Sequence, residues 1–139
     1  MDNKVISPCP WYYFKIFYHL KNKKMSNEEK NLIVDLTFEF SLLIIDYTEE
    51  LEKLKKNRMA WQLFDVGTYV GANVNESQNA ESRADFIHKM KIAAKEGSES
   101  QYWLRLCKHA KNYPECDDLL ERIVVINKIL SKIISSSKK

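Results

Sequence analysis

A chain of 139 residues with 45% hydrophobic content is long enough to form one domain around a continuous core. Three glycines and three prolines supply too few turns for an all-β fold, and uncharged apolar runs such as residues 40–45 are far too short to span a membrane. Three scattered cysteines imply no disulfide framework, so we expect a reducing, cytoplasmic location.

The net charge of +3 is concentrated in the first part of the chain. Residues 1–24 hold five lysines against one aspartate, a net charge of +4, which leaves −1 for residues 25–139. A body so close to neutral does not encode a strong general attraction to phosphate.

The first 24 residues also differ in pattern from the rest. A Ser-Pro-Cys-Pro segment is followed by four consecutive aromatic residues, 11–14, and Lys15 and His19 interrupt the apolar stretch in a way that does not suit a signal peptide. Met25 to Glu29 reads as a normal protein start that runs directly into a helix. We therefore divide the chain into a leader, residues 1–24, that is loosely ordered or not native, and a helical body, residues 25–139. The alternative is a leader that packs its aromatic side chains on the body.

The first helical pattern of the body runs from about Glu28 to Lys56. Apolar residues at steps of three and four predict one buried face, made of Ile33, Leu36, Phe40, Leu43, Tyr47, Leu51 and Leu54. A second apolar stripe lies beside it and consists of Val34, Phe38, Leu42 and Ile45. A helix in an isolated bundle needs only one apolar face, so the second stripe is a candidate oligomer interface.

The second pattern covers about Arg58 to Asn75. Its predicted face consists of Ala60, Phe64, Gly67, Gly71 and Val74. Glycine costs about 1 kcal/mol relative to alanine inside a helix. Two glycines on one face therefore indicate that a neighbouring helix approaches too closely to admit a side chain.

A polar loop from Asn75 to Glu81 is followed by Ser82 as a predicted N-cap, with Asp85 in the acidic first turn. The third helix extends to about Asn112, and its stripe is Phe86, Met90, Ala93, Gly97, Ser100, Leu104 and Cys107. The middle of this stripe is small, like the face of the second helix. We therefore expect the second and third helices to pack tightly against each other.

Tyr113-Pro114 ends the third helix, because the residue before a proline is pushed out of the helical region. Pro114 can open the fourth helix, whose predicted inner face is Leu119, Ile123, Ile126, Leu130 and Ile133. Short connections make adjacent helices antiparallel. The sequence therefore predicts an all-α fold, an antiparallel up-down-up-down four-helix bundle.

Lys53, Lys55, Lys56 and Arg58 form the only dense basic cluster of the body and are candidate nucleic-acid contacts. The alternative is a solvated helix end whose cations interact favourably with the helix dipole. No aromatic residues interleave with these cations for base stacking, which favours the alternative.

Five polar residues that flank the second connection form a candidate ligand site: Asn73, Glu76, Ser82, Arg83 and Asp85. The alternative is that they cap the two adjoining helices and pair across the turn. Elsewhere, Trp61, Tyr102 and Trp103 lie near the ends of the helical stripes, where an interface anchor and a core role suit them equally.

Catalytic and metal-binding patterns are weak in this sequence. The spacing of Cys107, His109 and Cys116 matches no zinc motif, a fourth ligand is missing, and Cys107 lies on the core stripe. No nucleophile with a base, no carboxylate pair and no phosphate-binding glycine loop stands out. We therefore expect no enzymatic activity, no metal and no cofactor.

Several segments of the body carry a family signal: residues 60–63 (AWQL), 71–76 (GANVNE), 82–90 (SRADFIHKM), 92–96 (IAAKE) and 102–104 (YWL). Together they resemble, over about residues 27–135, the bacterial four-helix-bundle proteins encoded in intervening sequences of large-subunit ribosomal RNA genes. The family is named after the location of its genes, and this location does not by itself imply RNA binding.

The resemblance implies a homopentamer with its protomers around a central axis. A related accessory protein of diversity-generating retroelements is also pentameric and strongly basic, and it partners a reverse transcriptase and nucleic acid. The near-neutral body of this chain departs from that relative. We therefore predict a non-enzymatic homo-oligomeric scaffold or adaptor, pentameric by this resemblance, that recruits another macromolecule. The alternative is a nucleic-acid-binding accessory factor that acts through a basic rim.

Overall fold

The computed structural model describes residues 27–138, which form four helices: α1 (Asn27–Lys53), α2 (Asn57–Ser77), α3 (Arg83–His109) and α4 (Asp117–Ser137). Each helix packs against the next one in sequence, and α4 returns to contact α1, less extensively than α2 does. The predicted antiparallel up-down-up-down four-helix bundle is confirmed for these residues. The division at residue 24, and both interpretations of the leader, lie outside the described residues. No helix within 27–138 is long and apolar enough to cross a membrane.

The core agrees with the predicted stripes on α3 and α4 and differs from them in part on α1. On α1, Ile44 takes the fully buried position that the sequence assigned to Leu43, which is half-buried. Leu54 is exposed because α1 ends at Lys53, so the predicted burial of Leu54 is wrong. On α3, six of the seven stripe residues are buried and Phe86 is half-buried.

The predicted face of α2 is correct in part: Ala60, Gly67 and Val74 are buried, whereas Phe64 is not. Leu63, Val66 and Val70 point into the core, whereas Phe64 is largely exposed. The buried surface of α2 therefore covers both the predicted stripe and the neighbouring one, and Phe64 lies at its edge, in contact with the groove toward α1. Both stripes have a helical period, so periodicity alone does not distinguish them.

Each glycine of the bundle marks a close approach between helices. A Cβ added at Gly67 would lie 2.9 Å from carbons of the Ile44 side chain, and one added at Gly71 would lie 3.1 Å from the carbonyl oxygen of Thr37. Both glycines therefore pack on α1. Gly97 of α3 instead packs on Asn127 of α4. The predicted tight packing of α2 against α3 is confirmed, since this contact is as extensive as that of α1 with α2. The glycines do not cause it, because the glycines of the two helices face different neighbours.

The connection between α1 and α2 is a tight turn with a left-handed residue. Lys55 has a φ of 59°. The amide of Lys56 donates to the carbonyl of Leu51 at 2.8 Å, and the amide of Lys55 donates to the carbonyl of Glu52 at 2.8 Å. This pair of bonds is the Schellman arrangement, which satisfies the last carbonyl groups of α1.

The connection between α3 and α4 is longer than predicted at both of its ends. Helix α3 stops at His109, before the predicted Asn112, and α4 starts at Asp117 with Cys116 as N-cap residue. Pro114 lies outside both helices, so the prediction that it opens α4 is wrong. Its carbonyl group instead accepts a hydrogen bond of 2.9 Å from the buried Tyr47 hydroxyl, which ties the connection to α1.

Candidate interaction surfaces

The second apolar stripe of α1, made of Val34, Phe38, Leu42 and Ile45, is a surface feature of the described protomer. Phe38 is 64% exposed and Leu42 is 49% exposed, while Val34 and Ile45 are half-buried. An exposed phenylalanine and leucine one helical turn apart form the centre of an apolar patch on α1. Whether this patch is an oligomer interface stays a prediction.

Two polar residues, Thr37 and Ser41, lie beside this stripe on the side of α1 that contacts α2, so the stripe itself lies on the outer side of the helix. The hydroxyl of Thr37 donates to the carbonyl of Ile33 at 2.8 Å, and the hydroxyl of Ser41 donates to the carbonyl of Thr37 at 2.8 Å. Hydroxyls satisfied within their own helix leave no polar group that needs water. The backbone of Gly71 can therefore lie against this part of α1, and the larger apolar side chains occupy the adjacent, outer face.

A groove between α1 and α2 continues the apolar surface toward their connecting turn. It has a cavity volume of about 480 Å³, and its lining combines apolar Ile45, Ala60, Trp61 and Phe64 with acidic Glu49, Glu52 and Asp65. Trp61 is 62% exposed, and its indole N–H donates to a carboxylate oxygen of Glu52 at 3.2 Å. Apolar walls bordered by three carboxylates suit a ligand that is both apolar and cationic.

Sequence reasoning missed this groove because it placed Phe64 in the core. The available signal was the pair Trp61 and Phe64, three residues apart on α2, with Asp65 beside them. The α1 side of the groove was partly identified, since Ile45 belongs to the candidate interface stripe as well.

The basic cluster lies at the turn between α1 and α2, where Lys53, Lys55 and Arg58 are exposed. Lys56 differs from them, because its ammonium nitrogen lies 4.9 Å from the ring centroid of Tyr113. This cation–π contact joins the α1–α2 turn to the α3–α4 connection. An aromatic residue therefore does accompany the cluster, from a distant part of the chain, but it is already occupied by Lys56.

The α3–α4 connection at this end of the bundle holds both signs of charge. Lys108 and Asp117 form an ion pair of 2.8 Å. The hydrogen bond between them raises the pKa of Lys108 above its ordinary value and lowers the pKa of Asp117. At this end of the bundle, positive charge is therefore more concentrated at the α1–α2 turn than at the α3–α4 connection.

The five polar residues at the second connection have separate partners in the bundle. Ser82 is the N-cap of α3, as predicted: its hydroxyl accepts from the amide of Asp85 at 3.0 Å, and the Asp85 carboxylate accepts from the amide of Glu81 at 3.2 Å. Glu76 forms an ion pair of 3.0 Å across the turn with Lys89, and this hydrogen bond raises the pKa of Lys89.

The two remaining members of this group bind elsewhere. The side-chain amide of Asn73 donates to the carbonyl of Tyr69 in its own helix at 2.9 Å. The guanidinium of Arg83 donates to the carbonyl of Ser137 at the end of α4. These contacts hold the ends of α2, α3 and α4 together, and the geometry matches the interpretation as caps and cross-turn pairs better than a single ligand pocket.

The two cysteines of the bundle are buried next to Tyr47. Burial raises the pKa of Cys107 to about 11 and also raises the pKa of Cys116, whose thiol donates to the carbonyl of Leu104 at 3.3 Å. A thiol with a raised pKa is a poor nucleophile and a poor metal ligand at neutral pH. Within residues 27–138, no three His, Cys, Asp or Glu side chains are grouped so that they could hold a metal ion.

Comparisons with known proteins agree on one family. The sequence model described as "23S rRNA-intervening sequence protein" matches residues 29–132. The crystal structure of a protein of unknown function from Bacteroides thetaiotaomicron, described as a member of the S23 ribosomal protein family, is similar with a TM-score of 0.72 and 34% sequence identity. That similarity covers 77% of this chain and 98% of the other. No curated protein shows a significant match.

Proposed function

Because the chain belongs to the 23S rRNA-intervening sequence protein family, we propose that it is a non-enzymatic, homo-oligomeric scaffold or adaptor that recruits another macromolecule. The observation that carries the proposal is the exposed stripe on α1, centred on Phe38 and Leu42. A closed ring of protomers is the expected assembly, and five protomers is the number that the family resemblance implies.

The apolar area of the stripe supplies the free energy of association. Burying one large apolar side chain is worth about 1.5–3 kcal/mol, so two such side chains in an interface contribute a substantial part of a stable contact. The stripe from Val34 to Ile45 extends over about 17 Å of helix. On a monomer the same patch would favour aggregation, whereas in a closed ring every copy of the patch is covered and no adhesive end remains.

The test is the mass of the full-length protein in solution, measured by light scattering coupled to size exclusion. We expect a mass several times that of the 16.4 kDa chain at micromolar concentration. Leu42→Glu places a charge in the interface, so we expect it to reduce the mass toward that of one chain while the helix content stays unchanged.

Leu106→Glu is the matched control, because Leu106 is a 38% exposed leucine on the surface of α3, outside the stripe. It should leave the mass of the assembly unchanged. A wild-type mass equal to one chain, or equal effects of the two substitutions, would contradict the proposal.

The alternative function is nucleic-acid binding through the basic turn. The observation that favours it is the exposure of Lys53, Lys55 and Arg58 on one tight turn, which a ring would present once per protomer. Binding to phosphates must weaken steeply with salt, because counterions are released. A labelled RNA that binds the protein with such a salt dependence, and not the variant Lys53→Gln/Lys55→Gln/Arg58→Gln, would support the alternative. A protein partner such as a reverse transcriptase should bind with a smaller salt dependence.

A further inference from the structure

The α1–α2 groove has an unusual combination of properties for an exposed surface. Trp61 and Phe64 present aromatic faces to solvent, and Glu49, Glu52 and Asp65 surround them with negative charge. Exposed aromatic side chains, tryptophan above all, are the residue types that anchor interaction sites. The charge selects the kind of occupant, since a segment that carries lysines beside its apolar residues would gain ion pairs at the rim.

One segment of the same chain has this chemistry. Residues 1–24 carry a net charge of +4, and their central part, residues 11–21 (WYYFKIFYHLK), alternates aromatic and aliphatic side chains with Lys15, His19 and Lys21. The family match begins at residue 29, so this segment lies outside the matched bundle. Its aromatic residues match the apolar walls of the groove, and its lysines match the three carboxylates.

The segment is also long enough to reach the groove. Along α1, Ile45 lies about 27 Å from Asn27 and Glu52 lies about 38 Å from it, at 1.5 Å of rise per residue. A returning extended chain, at about 3.3 Å per residue, could bring Tyr18 about 30 Å and Tyr13 about 46 Å from the start of α1. The distances that the aromatic part of the leader can reach, about 30–46 Å, therefore overlap those at which the groove lies along α1, about 27–38 Å.

We propose that the groove between α1 and α2 is the docking site of the chain's own leader, with aromatic side chains of residues 11–18 between Trp61 and Phe64 and with lysines at Glu49, Glu52 and Asp65. This inference concerns a different surface from the proposed oligomer interface. Val34, Phe38 and Leu42 lie outside the groove lining and stay available to a second copy, and only Ile45 belongs to both surfaces. The groove also lies close to the basic turn, so a docked leader would place additional lysines at that end.

The first experiment is zero-length cross-linking of the full-length protein with a carbodiimide, which joins a lysine amine to a carboxylate in direct contact. We expect peptides that link Lys15 or Lys21 to Glu49, Glu52 or Asp65, recovered from the band of a single chain. The exposed carboxylates Glu81 and Glu121 are internal controls on other parts of the bundle. Links distributed equally over the control carboxylates would overturn the proposal. So would links found only between two chains, since the leader would then occupy a neighbour's groove.

The second experiment compares two full-length variants with the same change in charge. Glu49→Gln/Asp65→Asn neutralises the groove, and Glu81→Gln/Glu121→Gln neutralises two exposed sites elsewhere. Loss of two surface ion pairs should increase the rate of tryptic cleavage after Lys15 and Lys21 about two- to tenfold in the groove variant only. Equal cleavage rates in the two variants, with equal helix content, would contradict docking in the groove. Neither readout depends on the mass of the assembly, so this inference and the proposed function can fail separately.

Discussion

Helix α1 packs on its two neighbours in opposite ways. Against α2 the contact is close because α2 lacks a side chain at two positions: Gly67 lies against Ile44, and Gly71 lies against the backbone of Thr37. Against α4 the contact is less extensive and contains a buried cation, Arg122, which is 3% exposed. The α1–α2 contact, which we call the close seam, is therefore defined by missing side chains. The α1–α4 contact, which we call the charged seam, is defined by a buried charge.

The ion pairs of Arg122 connect α1 and α4, the two helices of the charged seam. Its guanidinium lies 3.5 Å from a carboxylate oxygen of Glu39 on α1 and 3.0 Å from one of Asp118 on α4. Removing a guanidinium from water costs several kcal/mol, so the carboxylates offset a cost more than they add stability. The α1–α2 seam is thus specified by shape, whereas the α1–α4 seam is specified by the position of opposite charges.

The largest effect that we expect concerns the charged seam. Glu39→Gln/Asp118→Asn removes both negative charges from Arg122 without changing side-chain volume, and should lower the free energy of unfolding by about 3 kcal/mol. Chemical denaturation measures this difference. Glu121→Gln, an exposed carboxylate on α4, is the control and should change stability little. A double variant as stable as its control would mean that shape, and not charge, specifies this seam as well.

A smaller effect is expected at the close seam. Gly67→Val adds a branched side chain where Ile44 leaves no room, and overpacking of this kind costs roughly 1–3 kcal/mol. The midpoint of thermal unfolding reports the loss. Ala72→Val, at an exposed position of α2, gives the cost of a valine in this helix without a steric conflict. If Gly67→Val is no less stable than Ala72→Val, the two helices can separate freely and the seam is not fixed by shape.

The smallest effect, and the only gain, is expected at the turn that joins the two helices of the close seam. Lys55 has a left-handed backbone conformation, which glycine adopts without steric cost, so Lys55→Gly should raise the free energy of unfolding by about 0.5–1 kcal/mol. Lys53→Gly removes the same charge from the last turn of α1, where glycine should lower it by a similar amount. Effects of the same sign in the two variants would show that charge, and not backbone conformation, determines stability at the turn.

The sequence predicted the fold well where a single apolar stripe has no competitor. On α4 the five predicted core positions are all buried, and Ser82 caps α3 as its side-chain type indicates. On α2 two stripes of helical period lie side by side, and the predicted one combines the buried Ala60, Gly67 and Val74 with the exposed Phe64. Glycines correctly indicated close approaches, but a missing side chain does not say which neighbour comes close.

The candidate surfaces were predictable only where they belong to one helix. The exposed stripe of Phe38 and Leu42 follows from α1 alone, because one helix cannot turn two stripes toward the same core. The groove and the contact of Lys56 with Tyr113 join residues that are distant in sequence or on two helices. Such pairs depend on the relative rotation of the helices, which is set by packing after the helices form.

The contact of α4 with α1 is the only helix pairing in the described bundle that joins elements distant in the chain. Every other pairing closes a short connection, at a small loss of chain entropy, so we expect the α1–α2–α3–α4 succession to assemble rapidly. We therefore expect the ion pair between Glu39 and Arg122 to form late, after the rate-limiting barrier. Interactions that form after the barrier determine how fast the native state is lost and leave the rate at which it is reached unchanged. We therefore expect Arg122 to act mainly on the lifetime of the folded bundle, by slowing the separation of the first helix from the last.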